Sequence, residues 1–299
     1  MIVSHSLSPR PNVSVVIAHH NRPNLLERAI NSALLQGSSI LEIIVIDDGS
    51  TERITQSTID FYSQDPRIKF FLETTNCGQS TPKNTGIIKS TDEYITILHD
   101  DDEWLPEKIS RQLSFIEENN FDICACEFII IETSGRQRAV EFPKFNGDPT
   151  KYILNEDGHL QTSTFLIRAA VAKNLLIDST LKKFTDWDFL FRAQHAGYKI
   201  GMLHSPLSLY RFDAGGNISS TLAPALAFEY IKSHRHLISD RISFRFAVCG
   251  IAQMHRERRE FLSALRVPFK AINEYGILDA ISALRSILST VKYIITYRF

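Results

Sequence analysis

The sequence predicts an α/β protein with a mostly parallel central sheet flanked by helices. Three observations carry this. Short apolar runs alternate with stretches of helical periodicity as far as about Ile131. The runs are β-branched and continuous rather than alternating, the pattern of strands covered on both faces. Two of them, Leu41 to Ile46 and Tyr94 to Leu98, end in aspartates, and in such sheets ligands gather beyond the carboxyl ends of the strands.

Taken in order, Val13 to Ile17 reads as the first strand. Pro23 suits a helix start, Leu26, Ile30, Ala33 and Leu34 give its apolar stripe, and Gly37 ends it. Leu41 to Ile46 is the second strand, broken by Asp47-Asp48-Gly49-Ser50. Ser50 or Thr51 would cap a helix running to about Ser63. Ile68 to Leu72 is a third strand, a helix follows around Thr81 to Lys89, and Tyr94 to Leu98 is the fourth strand. Pro106 to Asn119 reads as helix and Phe121 to Ile131 as strand. Ser134-Gly135 is a turn, Phe142 to Pro149 is irregular, and Thr164 to Ile167 is a candidate strand. A helix opens at Asp186 and ends near Gly197. Tyr198 to Tyr210 predicts two short strands around Ser205-Pro206, and Arg211 to Ser219 a mobile loop. Phe228 to Ile238, Ile242 to Leu265 and Ile277 to Tyr297 read as helices.

The chain has 299 residues, 43% of them apolar and 22% charged, which is ordinary for a globular protein with a sizeable core. No run of 18 apolar residues predicts a transmembrane helix, and the first ten residues lack the apolar stretch of a signal peptide. Cys77, Cys124, Cys126 and Cys249 form no disulfide framework, so a reducing cytoplasm is expected. Cys124 and Cys126 fall on one face of a strand as small core residues. The net charge of −1 is unevenly spread. Residues 222–299 hold 12 Lys/Arg against 6 Asp/Glu, so the preceding residues are acidic overall. This shift places a boundary near Ser220 to Pro224, between a domain at 1–221 and a basic helical extension at 222–299. A near-zero overall charge without a basic-aromatic platform argues against nucleic acid.

The sharpest signal is Ile95-Thr-Ile-Leu98 followed by His99-Asp100-Asp101-Asp102-Glu103-Trp104. Three adjacent carboxylates at a core-strand mouth repel one another and cost several kcal/mol each to bury. A hard divalent cation with oxygen ligands would relieve that cost and could in turn hold a diphosphate. The bland alternative is an acidic loop with Asp102 as a helix cap.

The order of motifs resembles the family 2 glycosyltransferases, inverting enzymes of the GT-A (Rossmann-like) fold. The resemblance covers about residues 12–221. It runs through Ser14-Val-Val-Ile-Ala-His-His-Asn-Arg-Pro23, Ile44-Val-Ile-Asp-Asp-Gly-Ser-Thr51, and Asn76-Cys-Gly78 with Lys83-Asn84-Thr85-Gly86. The acidic triplet follows, then Gln161-Thr-Ser-Thr-Phe165, Asp186-Trp187-Asp188, Leu209-Tyr-Arg211 and Gly216-Asn-Ile-Ser219. It implies that Asp47 and Asp48 bind the base and ribose of a nucleotide sugar, most often UDP-linked. Ala18, His19, Asn21, Lys83, Asp100 and Asp101 would complete the nucleotide site. Asp100 and Asp102 would be the leading metal pair for Mn²⁺ or Mg²⁺, with His99 standing where relatives often carry another acid. Asp186 would be the catalytic base that activates an acceptor hydroxyl. Lys83 stands where relatives usually have Arg, with a solvated surface lysine as the alternative. Arg211 would reach the diphosphate, while Asp213 replaces a His common in relatives. Trp104 and Trp187 would stack on sugar rings or pack in the core.

By the same resemblance the acceptor would be a glycan or lipid-linked saccharide in bacterial surface-polysaccharide synthesis, such as O-antigen, capsule or lipooligosaccharide. The setting would be cytoplasmic, at the inner face of the membrane. For the C-terminal helices two readings stay open. A basic amphipathic helix can lie on anionic lipid, or it can pack on the catalytic domain or a second subunit. A non-catalytic sugar-nucleotide scaffold is the alternative function, though it leaves the three acidic sites unexplained. A nucleotidyltransferase is disfavoured because His19-His20-Asn21-Arg22 is no glycine-rich phosphate loop.

Overall fold

The computed structural model describes residues 12–212 and 223–297, and these fall into two units. The first comprises 12–142 and 160–212; the second comprises 143–159 and 223–297. The stretch 213–222, with the expected loop motif Gly216-Asn-Ile-Ser219 and Asp213, lies outside the described residues.

In chain order the first unit opens with β1 (Val13–His19), α1 (Pro23–Leu34), β2 (Ile40–Asp47) and α2 (Gln56–Tyr62). It continues through β3 (Ile68–Leu72), α3 (Thr81–Lys89), β4 (Tyr94–His99), β5 (Glu103–Trp104) and α4 (Lys108–Glu118). Next come β6 (Ile123–Glu132) and β7 (Gln137–Ala139). The chain then enters the second unit for α5 (Pro149–Asn155). It returns for β8 (Leu166–Arg168), α6 (Ala169–Leu175), α7 (Thr185–His195) and β9 (Ile200–Phe212).

The nine strands among the described residues form one sheet in the order β3-β2-β1-β4-β8-β6-β9-β5, with β7 beside β6. β3, β2, β1 and β4 are mutually parallel, and β6 and β9 are also parallel. β8 runs antiparallel between β4 and β6. The expected α/β architecture is therefore the one observed. β1 and most of β2 are buried on both faces, as their unbroken apolar runs require. α1, α4, β1 and β2 share one core through Leu26, Ile30, Ile109, Leu113, Val15 and Ile43. α3 lies hard against β1: a Cβ on Gly86 would come 2.2 Å from Val16 Cγ1.

β1 is the central strand for function. It pairs with β2 on one side and β4 on the other, in a register that puts Ala18 opposite both Ile46 and His99. Asp47-Asp48 and Asp100-Asp101-Asp102 thus flank the carboxyl end of one strand, although they are far apart in sequence.

Several boundaries differ from the sequence expectation, each for a local reason. α2 begins at Gln56 with Thr55 as its cap, because Ser50 is already engaged by Asn21 and Asp47. α4 begins at Lys108, since Glu103-Trp104 pairs with β9 and Glu107 turns left-handed at φ 68°. The two short strands expected around Pro206 are one strand, β9, whose pairing with β6 shifts register at that proline, which has no N–H to offer the ladder.

The second unit adds α8 (Pro224–Ser233), α9 (Asp240–Phe246), α10 (Ala252–Glu257), α11 (Phe261–Tyr275) and α12 (Ala280–Tyr297). A five-residue π-turn, Ala247–Ile251, joins α9 to α10. The single helix expected over Ile242 to Leu265 is interrupted at Arg259, whose φ is 60°. α5 packs on α9 within this unit. No helix among the described residues is long and apolar enough to cross a membrane.

Candidate functional site

The site is built at the carboxyl ends of β1, β2 and β4, with α3 and α7 contributing from the flanks. At the end of β2 the chain turns through Gly49, whose φ is +64° and whose Cβ, if it had one, would meet the Thr75 backbone at 2.4 Å. Only glycine fits there. Asp47 accepts the Ser50 N–H at 2.9 Å, and Asp48 accepts the Cys77 N–H at 2.9 Å. Each carboxylate is fixed through one oxygen, and among the described residues the other is left as an acceptor. Ala18, next to last in β1, pairs with Ile46 just before these acids, and His20 reaches the Asp48 carbonyl at 3.0 Å.

Asn21 has a structural task that its sequence context does not announce. Its side-chain oxygen accepts the N–H groups of Thr51 and Glu52 at 2.8 and 2.9 Å, and its own N–H donates to Ser50. It ties the loop after β2 to the end of β1.

The acidic triplet is divided between two sets of partners. Asp100 meets His19 Nδ1 at 3.0 Å and Arg22 at 3.4 Å, and Asp101 pairs with Arg22 at 2.7 Å. His19 is buried, and its Nε2 has no partner among the described residues. Asp102 is buried and accepts the Ser163 hydroxyl at 2.6 Å and the Arg211 N–H at 3.2 Å. Ser163 also accepts the His99 N–H at 3.1 Å, so it braces the strand end and the acid together. Asp102 is not a helix cap; that place falls to Glu107.

His99, Asp101 and Asp102 bring ligand atoms within 4.8 Å of one another. Asp100 is outside this group, its oxygens being directed to His19 and Arg22. Burial pushes the Asp102 carboxyl well above its ordinary range, with the Asp101 charge adding to it. Asp101 is raised by burial and by Asp100. An imidazole and two carboxylates crowded in this way fit a divalent cation, which supplies the positive charge they lack.

Lys83, on α3, is 5% exposed, so it is not a solvated surface lysine. Its Nζ lies 3.0 Å from His99 Nε2. Burial lowers its ammonium, while Asp186, Asp101, Asp100 and Asp102 act in the opposite direction. One buried cation thus feels carboxylates from two distant segments. Asn84 beside it holds α3 to the backbone of Ile177 through two bonds of 2.7 and 2.8 Å.

Asp186 is the second residue of α7, one position inside the helix start at Thr185, and Phe184, left-handed at φ 64°, is the cap. Asp186 accepts the Trp187 N–H at 3.0 Å, and burial raises its carboxyl above the usual carboxylate range. The nearby Asp188 is spent on structure, bonding Arg192 at 2.7 Å. Trp187 stacks on Phe184. Trp104 is core, 3% exposed, with its indole N–H given to the Ser163 carbonyl at 2.7 Å, so it offers no open face to a sugar. Arg211 is a β9 residue rather than part of a loop, and its guanidinium bonds Glu103 at 2.6 Å.

Ser163 and Arg22 are the residues whose tasks the sequence leaves unassigned. Both stand inside quoted motifs, and that position is the signal that could have singled them out.

Residues 14–176 match the model of glycosyl transferase family 2. The chain belongs to this family. Its match to an uncharacterized glycosyltransferase of Rickettsia bellii is 38% identical over 137 residues, 46% of this chain but only 20% of that protein's length. The amylovoran biosynthesis glycosyltransferase AmsB of Erwinia amylovora is 26% identical over 66% of this chain and 68% of its own. The crystal structure of S. aureus TarS 1–349 in complex with UDP-GlcNAc superimposes with a TM-score of 0.67, over 96% of this chain and 91% of that one. At 18% identity this likeness shows the fold, which is that expected of a family 2 enzyme. The family match ends at residue 176, before Asp186 and Arg211.

Proposed function

We propose that this family 2 glycosyltransferase moves a sugar from a nucleotide sugar, UDP-linked, to a hydroxyl of a glycan or lipid-linked saccharide, inverting the anomeric centre. The observation that carries the reading is the single electrostatic neighbourhood joining Lys83, the acidic triplet and Asp186. The Asp47-Asp48 pair, the acidic triplet and Lys83 gather at the carboxyl ends of parallel strands, with Asp186 contributed from α7.

In this reading residues 1–221 carry the catalytic domain and 222–299 an extension, with 143–159 grouped by its contacts with the extension rather than with the catalytic domain. Asp47 and Asp48 accept from the base and ribose through their remaining oxygens, beside Ala18 and His19. Asn21 holds that loop in place. Arg22 and Lys83 supply positive charge toward the diphosphate. His99, Asp101 and Asp102 would hold Mn²⁺ or Mg²⁺, and Asp100 would orient the site through His19. With a cation in place these residues would supply stabilisation of the negative charge on the departing diphosphate. Asp186 takes the acceptor proton as the acceptor oxygen bonds to the anomeric carbon. The bond from that carbon to the diphosphate oxygen breaks, and the electron pair leaves with the diphosphate. Attack from the opposite face turns an α-linked donor into a β-linked product. The name of AmsB and the UDP-GlcNAc bound to TarS support a polysaccharide setting and a UDP donor.

Calorimetric titration of UDP, GDP, CDP and dTDP, with and without Mn²⁺, tests the reading. Metal-dependent binding of UDP is the expected result. A folded protein that binds none of the four would overturn it.

A further inference from the structure

α12 is apolar on both sides. Its buried positions are Ala283, Ser286 and Thr290, with Ile287, Tyr293 and Ile294 half-buried beside them, whereas Ile281, Leu284, Leu288, Val291 and Ile295 are exposed. These five recur at alternating spacings of three and four, and on a helix they fall within about 80° of one another. Leu284 and Leu288 are 57% and 58% exposed. The inward side already has its own large apolar residues in Ile287, Tyr293 and Ile294. Five further aliphatic side chains on the opposite side are more than packing within the chain can use. The outward stripe therefore calls for an apolar medium of its own.

The charges on the helix decide which medium. Residues 280–297 contain no acid, and the charges are Arg285 and Lys292, seven residues apart and exposed. Both fall along one margin of the apolar stripe at helical spacing. α11 adds exposed Leu262 and Phe269, with exposed Arg266 and Lys270 between or beside them, and its one acid, Glu274, is paired with Lys232 and Arg235. An apolar stripe edged only by cations complements a surface that is apolar below and anionic above. A second copy of α12 would bring no acid to meet Arg285 or Lys292, and packed antiparallel it would set like charges against each other.

We infer that α12 lies along an anionic lipid surface, with Ile281 to Ile295 sunk into the acyl boundary over roughly 21 Å and Arg285 and Lys292 at the phosphates. This goes beyond the transfer reaction and does not depend on it. The test is co-sedimentation of the full chain with vesicles of phosphatidylcholine alone or in equal parts with phosphatidylglycerol. Binding to the anionic vesicles, weakened by salt, is expected. Leu284→Ser with Leu288→Ser should abolish it, and Arg285→Gln with Lys292→Gln should weaken it about thirty-fold. These side chains point to solvent, so the variants should retain their circular dichroism and their nucleotide affinity. Failure of nucleotide binding would therefore leave this inference intact, and failure of vesicle binding would leave the site intact. No binding to anionic vesicles by the folded wild type overturns the inference. So does binding unchanged in the Leu284/Leu288 variant. A concentration-dependent dimer that the same variant dissolves, without vesicle binding, would assign the face to a second copy instead.

Discussion

Asp186 illustrates how burial tunes a single carboxyl for its proposed task. Burial raises it above the ordinary carboxylate range, and the Lys83 charge acts in the opposite direction. A base must be deprotonated, so activity should fall as pH drops through this raised value. The acid limb of the kcat profile should therefore lie above the usual carboxylate range. Lys83→Met removes the opposing charge and should move that limb further up. Asp186→Asn should lower kcat about 10²- to 10⁴-fold with nucleotide affinity retained; near-normal turnover would remove the base assignment. Ser163 can be tested separately because it touches Asp102 and His99 without being a donor to the cation. Ser163→Ala leaves Asp102 short of one hydrogen bond and frees the His99 N–H. Mn²⁺-dependent UDP binding, read by calorimetry, should weaken about 10- to 100-fold, as expected when a supporting group behind metal ligands is lost. Unchanged affinity would show that the brace is not needed.

At the scale of elements, α4 carries a buried lysine that the site does not use. Lys108 is fully buried, bonds Gln112 at 2.6 Å and lies over the Trp104 ring at 4.4 Å. Burial lowers its ammonium from 10.5 to about 8. Folding therefore favours the neutral amine, and the unfolded chain binds more protons between those values. The penalty is full below about pH 8 and disappears as pH rises through 10.5. Urea unfolding should show the wild type gaining on the order of 1–3 kcal/mol relative to Lys108→Met across that window. A constant difference between the two would refute the assignment. The same comparison of element with sequence shows what was legible. β1, β2 and β4 could be read because strands buried on both faces leave continuous apolar runs. β8 left only the short candidate run Thr164 to Ile167, and β5 and β7 are too short to leave a pattern; their partners in the sheet define them. The site was legible as a set of acids but not as a division of labour. Adjacent aspartates look alike in sequence, and they are told apart by His19, at the end of β1, and Arg22, just after it. Trp104 was ambiguous for a similar reason: the Ser163 carbonyl that anchors it lies 59 residues away.

At the scale of the whole molecule, the chain joins a unit whose acids converge on one strand end to a helical unit with a cation-edged apolar face. The two proposals place different ligands on different units, so their footprints should not coincide. Hydrogen exchange on the full chain can separate them. A ligand that binds only the native state raises local and global opening free energies by mass action, about 2.7 kcal/mol at a hundred times its Kd. With UDP and Mn²⁺, added protection should concentrate at the ends of β1, β2 and β4, in the loop 48–52, and around Lys83 and Asp186. α11 and α12 should exchange as before, apart from any amide whose opening requires global unfolding. With anionic vesicles the pattern should reverse, with α12 protected and the strand ends unchanged. Asp102→Asn should erase the first footprint and spare the second, because Asp102 bonds Ser163 and Arg211 within the first unit. Leu284→Ser with Leu288→Ser should do the converse. A UDP footprint that spread to α12 as strongly as to β1 would contradict the separation of the two roles.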